Sequence, residues 1–241
     1  MNNGPADPLS RDDFIEWLRR EGAGRYHDKH AFHQLMHEGK LNQGQLQQWV
    51  LNRYYYQTRI PIKDALILSK SESPSFRRTW LHRITDHDGK TEGEGGLSLW
   101  LRLAEGVGLD RESVASCRLV LPGVHFACDA YVQFVREHSL VEAVASSLTE
   151  FFAPDLMSKR ILAWEKHYDW VDRSTLDYFR SRAPRARLDS EEALSFVVEQ
   201  AKTLDVQQRC VDALIRKTEI LWHLLDCVMF ACFPACQESG G

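Results

Sequence analysis

The chain has 241 residues, 44% of them hydrophobic and 27% charged, with a formal net charge of −4. That is enough chain for one well-buried core, and the negative balance argues against general attraction to nucleic acid or an anionic membrane surface. None of the six cysteines forms a C-x-x-C pair, so a zinc site is poorly supported and reduced thiols are expected.

Residues 1–9 read as a flexible tail without the basic and apolar regions of a signal peptide, which points to a cytoplasmic protein. Ser10, with Asp13 three residues on, caps a helix that "EGAG" near residue 22 should stop. Asn42 and Gln45 form a second capping pair ahead of a long helix.

Within that helix stands "LNRYYYQTRIPIKDALIL", residues 51–68. At 100° per residue, Leu51, Tyr55, Thr58, Ile62, Ala65 and Leu66 share one side, which should meet the core. Arg53, Tyr56, Gln57, Ile60, Lys63, Asp64 and Ile67 share the other, either a wetted surface or the wall of a polar cavity. Pro61 removes a backbone donor and would kink the helix.

"HRITDHDG" ends a helix at His87, where the macrodipole should favour imidazolium. The following "GKTEGEGG" is the longest flexible connection, either a plain surface loop or a lid. In "SSLTEFFAPDLMSKRI", Glu150 and Arg160 share an inward face while Asp155, Ser158 and Lys159 look outward; the simplest reading is a buried ion pair. In "LDYFRSR", Tyr178 and Arg182 are an i, i+4 pair. Asp189, with Glu192 three residues on, reads as the cap of a new helix.

In "RCVDALIRKTEILWHLLDCVMF", Lys217 is the single charge in a stripe of Cys210, Ala213, Leu214, Ile220, Leu221, Leu224 and Val228. It either snorkels to water or faces a cavity holding an anion. Charges interrupt the apolar run that follows, so it is a buried helix rather than a membrane span. "FPAC" ends it, and residues 237–241 read as a second tail.

The expected fold class is therefore all-α: a single-domain helical bundle over residues 10–236, with about ten helices and no strand. Arg53, Lys63, Arg160, Arg182 and Lys217, with His27, His87, Tyr56, Tyr131 and Tyr178, would suit a planar, polyanionic, oxidisable small molecule.

The blocks "NRYYYQTRIPIKDA", "RITDHDG", "LVLPGV", "SSLTEFFAP", "YFRSR" and "EILW", in that order between about residues 11 and 233, resemble the pyrroloquinoline quinone (PQQ) synthase family. The resemblance implies a compact bundle similar to haem oxygenase, a homodimer, and no metal or organic redox cofactor. It implies that the last ring of a bicyclic polycarboxylate precursor is closed and oxidised by O2 in an overall eight-electron step, with PQQ as product and hydrogen peroxide released.

By motif position, the family's pocket falls on Tyr26, His27, Arg53, Tyr56, Gln57, Lys63, His87, Tyr131, Thr149, Glu150, Arg160, Tyr178, Arg182 and Lys217. His87, Tyr178 and Arg182 would handle oxygen. Arg53, Gln57, Lys63, Arg160 and Lys217 would hold carboxylates and ring oxygens, and Glu150 would orient its neighbours. Met157 stands where some members carry a histidine considered as a base, which leaves His27 or His87 for that role. A di-iron oxidase of the same fold would need ligands where "LDYFRSR" has Tyr and Arg. A thiaminase-like hydrolase would need an activated cysteine, and none here has an evident base. A non-catalytic carrier of PQQ or its precursor would need the cationic pocket alone.

Overall fold

The computed structural model describes residues 7–234. The two tails expected at residues 1–9 and 237–241, and Cys236, fall wholly or largely outside that range. Leu9, placed in the first tail, is held at both backbone polar atoms by the Gln207 amide: its N–H donates to Oε1 at 2.8 Å and its carbonyl accepts from Nε2 at 3.1 Å.

Among the described residues there is no strand, as the recurrent three- and four-residue apolar spacing requires. The helices in chain order are α1 (Arg11–Arg25), α2 (Ala31–His37), α3 (Gln43–Ser69), α4 (Pro74–Trp80), α5 (His82–Asp88), α6 (Gly95–Gly106), α7 (Arg111–Ala115), α8 (Pro122–Glu137), α9 (Leu140–Ala145), α10 (Ala153–His167), α11 (Asp177–Gln200) and α12 (Leu204–Cys232). Three short 3₁₀ segments, His27–Lys29, Ser146–Phe152 and Arg173–Leu176, join them.

The long helices α3, α11 and α12 frame one core. α3 packs on α5, α6 and α8, α12 on α1 and α8, and α11 on α10. Trp49, Trp100, Trp164 and Phe179 lie at its centre, with ring centroids 5.5 to 6.5 Å apart along α3, α6, α10 and α11. No described helix is long and apolar enough to cross a membrane.

The expected starts hold where a small polar residue meets a free helix end. Ser10 accepts from the Asp13 N–H, and Asn42 and Gln45 cap each other reciprocally. The expected stop at "EGAG" does not occur: α1 continues to Arg25. A Cβ on Gly22 would come 2.7 Å from the Phe152 ring, so that glycine permits a close helix crossing rather than an end. Asp189 is likewise no cap. It lies inside the unbroken α11, buried among arginines.

The polar side of α3 is a buried wall, one of its two expected readings, whereas the aliphatic side meets the core only in part, at Leu51 and Tyr55. Ala65 and Ile62 are exposed and Thr58 and Leu66 half-buried, whereas Tyr56, Gln57, Ile60, Lys63, Asp64 and Ile67 are buried. Aliphatic mass alone does not locate the inner face, because the polar side chains find partners inside.

Of "GKTEGEGG", only residues 89–94 lie outside helices. Gly89 and Gly95 have φ of 84° and 80°, and a Cβ on Gly95 would stand 2.6 Å from the His87 carbonyl. The turn is thus short, with clasped ends, and it brings the start of α6 against the segment carrying His87.

Candidate active site

A cavity of about 80 Å³ opens among α3, α5, α6, α10 and α11. Eleven of the fourteen expected residues line it: Tyr26, His27, Arg53, Tyr56, Gln57, His87, Thr149, Glu150, Arg160, Tyr178 and Arg182. Ile60, Trp100, Ala153, Met157, Phe179, Ala186 and Leu221 complete the wall. Lys63, Tyr131 and Lys217 stand behind it, each buried.

α3 contributes Arg53, Tyr56 and Gln57 on successive turns. The Arg53 guanidinium lies 4.0 Å from the Tyr56 ring centroid, and Gln57 Oε1 accepts from the Tyr178 hydroxyl at 2.9 Å. One turn on, Lys63 Nζ lies 2.7 Å from Asp64 Oδ1 and donates to Ser147 Oγ at 2.9 Å. Trp80 Nε1 donates to the same Asp64 oxygen at 2.8 Å. Burial would lower the Lys63 pKa, but Asp64, Tyr131 and Glu150 together outweigh it and hold the ammonium charged.

His87 sits at the end of α5. Its Nδ1 faces the Arg83 carbonyl at 3.0 Å, and a carbonyl only accepts, so Nδ1 carries the proton and Nε2 is left able to take one. Burial and the Arg182 guanidinium pull its pKa down to about 3. The imidazolium expected from the helix end does not form, because desolvation and a neighbouring cation outweigh the Arg83 carbonyl and Asp189 that favour it. His27 is also held neutral, by burial and then by Arg53, Arg160 and Lys217, and its Nδ1 has no partner.

Glu150 does not pair with Arg160. Its Oε2 accepts from Arg83 Nη1 at 2.8 Å, and burial still raises its pKa despite that guanidinium. Arg160 lies between Trp49 and Phe179, 4.6 and 5.4 Å from their ring centroids. Its Nη2 donates to His33 Nε2 at 3.2 Å, because His33 Nδ1 is taken by the His27 carbonyl. No carboxylate among the described residues meets it, and burial and Arg53 bring its pKa down to about 9.

Lys217 does not snorkel to water. Its Nζ lies 3.3 Å from the Tyr131 ring centroid and 4.2 Å from that of Tyr56, with no hydrogen-bond partner. Burial, then Arg53, drives its pKa well below the ordinary lysine value. Arg182 donates Nη2 to Asp189 at 3.2 Å, and its Nη1 is unpartnered.

Sequence reasoning missed Arg83, Asp189, His33 and Asp64. Arg83 precedes His87 by one helical turn, a spacing visible in "HRITDH". Asp189 had a signal too, but it was absorbed by a capping pattern. Among the described residues, the basic groups at and behind the cavity are Arg53, Lys63, Arg83, Arg160, Arg182 and Lys217, and the carboxylates are Asp64, Glu150 and Asp189. Three basic groups are therefore in excess. His82, Asp189 and Glu192 bring potential metal-ligand atoms within 4.8 Å of one another. They lie outside the cavity wall, and Arg83 Nε, 3.8 Å from Asp189, already supplies a fixed cation there.

The neutral histidines set a pH dependence. Above about pH 6.5 they are uncharged in folded and unfolded chains alike. Below it the unfolded chain binds protons that His27, His33 and His87 refuse until far lower pH, and His37 until about pH 4. Half-exposed His82, raised by its hydrogen bond to Asp189, and Glu150, Asp88 and Glu192, raised by burial, work the other way, but the deeply buried imidazoles are depressed more strongly. The melting temperature of the ligand-free protein is expected to fall steadily from pH 6.5 to pH 4. Circular dichroism melts at half-unit steps check this, and a flat profile would contradict buried neutral imidazoles.

Comparison with known proteins gives a family model described as TENA/THI-4/PQQC family, matching residues 17–227. A protein of Acidiphilium cryptum (strain JF-5) named pyrroloquinoline-quinone synthase is 48% identical over 223 residues, covering 92% of this chain and 91% of that one. One of the same name from Ectopseudomonas mendocina (strain ymp) is 49% identical over 219 residues, covering 91% and 87%. Among solved structures, a domain of unknown function with a heme oxygenase-like fold from Shewanella denitrificans OS217 superposes with a TM-score of 0.73 at 15% identity, covering 92% of this chain and 93% of that one. This chain has that fold.

Proposed function

The chain belongs to the TENA/THI-4/PQQC family, and from that membership we propose that it is a pyrroloquinoline-quinone synthase, an oxidase using O2 as acceptor. On this reading it closes the last ring of a polycarboxylate quinoline precursor and completes its eight-electron oxidation to PQQ, releasing hydrogen peroxide. The observation that carries it is the excess of basic groups around one aromatic-walled cavity, beside His87, Tyr178 and Arg182. An unpaired buried cation is unfavourable in the free protein and becomes favourable when a carboxylate arrives.

The ring supplies the electrons. Once deprotonated it is an electron-rich enol or quinol that can reduce O2 directly, so neither metal nor organic cofactor is required of the protein. The chain's part is electrostatic and protic. Arg53, Arg160 and Lys217 hold carboxylates and stabilise the carbanion, and Arg182 stabilises the peroxide charge as it forms. Neutral His87 and His27 accept protons. A carboxylate paired with Arg182 or Arg160 offsets the cations that depress these imidazoles, so ligand binding raises their basicity when it is needed. With Met157 in the wall, no third cavity imidazole is available for the first deprotonation.

The reading includes a cytoplasmic homodimer built on residues 10–236. The outward rings of Phe126 and Phe230, 77% and 76% exposed, provide apolar surface for a second copy. The test is anaerobic mixing with precursor, followed by O2. A synthase changes the precursor's absorbance to that of PQQ and produces peroxide. A carrier binds the precursor but does neither, and that outcome would reject the enzyme. Metal analysis of the active protein separates the di-iron alternative: stoichiometric iron would reject a cofactorless oxidase.

A further inference from the structure

Asp189 lies seven residues beyond Arg182 on α11, two turns along the same helix. It is buried yet does not line the cavity. A carboxylate in mid-helix and out of water persists only where it is paired, and its partners reveal what it organises.

Asp189 Oδ2 accepts from Arg182 Nη2 at 3.2 Å, and Oδ1 accepts from His82 Nε2 at 2.9 Å. Arg83 Nε lies 3.8 Å from Oδ1, and Arg83 Nη2 donates to the Asp189 carbonyl. Arg83 then reaches the cavity twice. Its Nη1 donates to Glu150 at 2.8 Å, and its carbonyl accepts from His87 Nδ1 at 3.0 Å. Two wall residues on separate elements, Arg182 directly and Glu150 through the Arg83 guanidinium, thus depend on one carboxylate that does not itself face the ligand space, and His87 sits one turn from Arg83 on α5.

We infer that Asp189 is a positioning residue of this site, fixing Arg182 directly by a hydrogen bond and Glu150 at one remove through the Arg83 guanidinium. The inference rests on the synthase reading, in which Arg182 and His87 handle oxygen. Anchoring Nη2 leaves the unpartnered, buried Nη1 of Arg182 as the edge offered to a ligand. A guanidinium without its anchor can rotate to Glu150 or to a substrate carboxylate. It then still contributes to binding but stands in the wrong place for the oxidation step, where small displacements cost large factors in rate.

The test is Asp189→Asn, which keeps the shape and removes the charge, assayed well below its melting temperature. The expected result is a kcat lower by roughly 100-fold, of the size a small misplacement produces, with PQQ affinity, read by tryptophan fluorescence, within about threefold of wild type by the same argument. A kcat within threefold, or equal losses in kcat and affinity, overturns the inference.

If Asp189→Asn does not fold, Asp189→Glu restores the charge one methylene out of place. Tight binding with a kcat still at least tenfold low supports positioning, and full activity overturns it. Wild-type protein that does not convert precursor rejects the functional reading instead. The anchoring is then decided by arginine side-chain NMR. A slowly exchanging Arg182 Nη2–H with hindered Cζ–Nη2 rotation in wild type that is lost in Asp189→Asn supports it, and an unchanged signal overturns it.

Discussion

Lys217→Met is expected to raise the melting temperature of the ligand-free protein and to weaken PQQ binding by about two orders of magnitude. The two effects have one cause. Lys217 Nζ is buried without a hydrogen-bond partner, against the rings of Tyr131 and Tyr56. Keeping an amine there is costly, and replacing poorly solvated buried charge with a well-packed apolar chain gains about 1–4 kcal/mol in comparable cases. For a chain of this length that is several degrees, at about 2–4 °C per kcal/mol.

Binding goes the other way. Removing one partner of a desolvated charge pair costs about 2–5 kcal/mol, and each 1.4 kcal/mol is about tenfold in affinity. Differential scanning calorimetry and a fluorescence titration on the same sample check both signs. Greater stability with undiminished affinity would make Lys217 a structural burden rather than a ligand group.

His87→Ala is expected to leave PQQ affinity nearly unchanged while slowing oxidation by about 10²–10⁴-fold, the range of a lost general acid–base. Nδ1 is committed to the Arg83 carbonyl, so proton exchange falls to Nε2. His27, the other imidazole of the described wall, accepts a different proton in this mechanism, and Met157 cannot carry one. Stopped-flow absorbance after O2 addition to the preformed anaerobic complex isolates this step from binding. A wild-type rate would remove His87 from the mechanism.

Much of the bundle could be read from local chemistry. Ser10 and the Asn42–Gln45 pair announced helix starts because their hydrogen bonds are made within a few residues. What failed was long-range. Gly22 looked like a stop because nothing nearby in the chain shows that Phe152 will press against it. Asp189 looked like a cap because its true donors, His82, Arg83 and Arg182, arrive partly from a helix about a hundred residues away.

The choice between wetted surface and cavity wall for the polar side of α3 stayed open for the same reason. A buried Lys63 is tolerable only once Asp64 and Ser147 are known to meet it. The pocket residues themselves followed from the resemblance rather than from periodicity, which could mark Lys217 as anomalous but not decide between solvent and cavity.

The size of the cavity bears on kinetics. At about 80 Å³ it is far smaller than the roughly 300–1,000 Å³ that drug-sized ligands occupy. On the synthase reading, the wall has to open before a bicyclic polyacid can enter. Capture would then be limited by that breathing motion rather than by diffusion. Its observed rate would level off as precursor concentration rises, and viscosity would matter less to it than temperature.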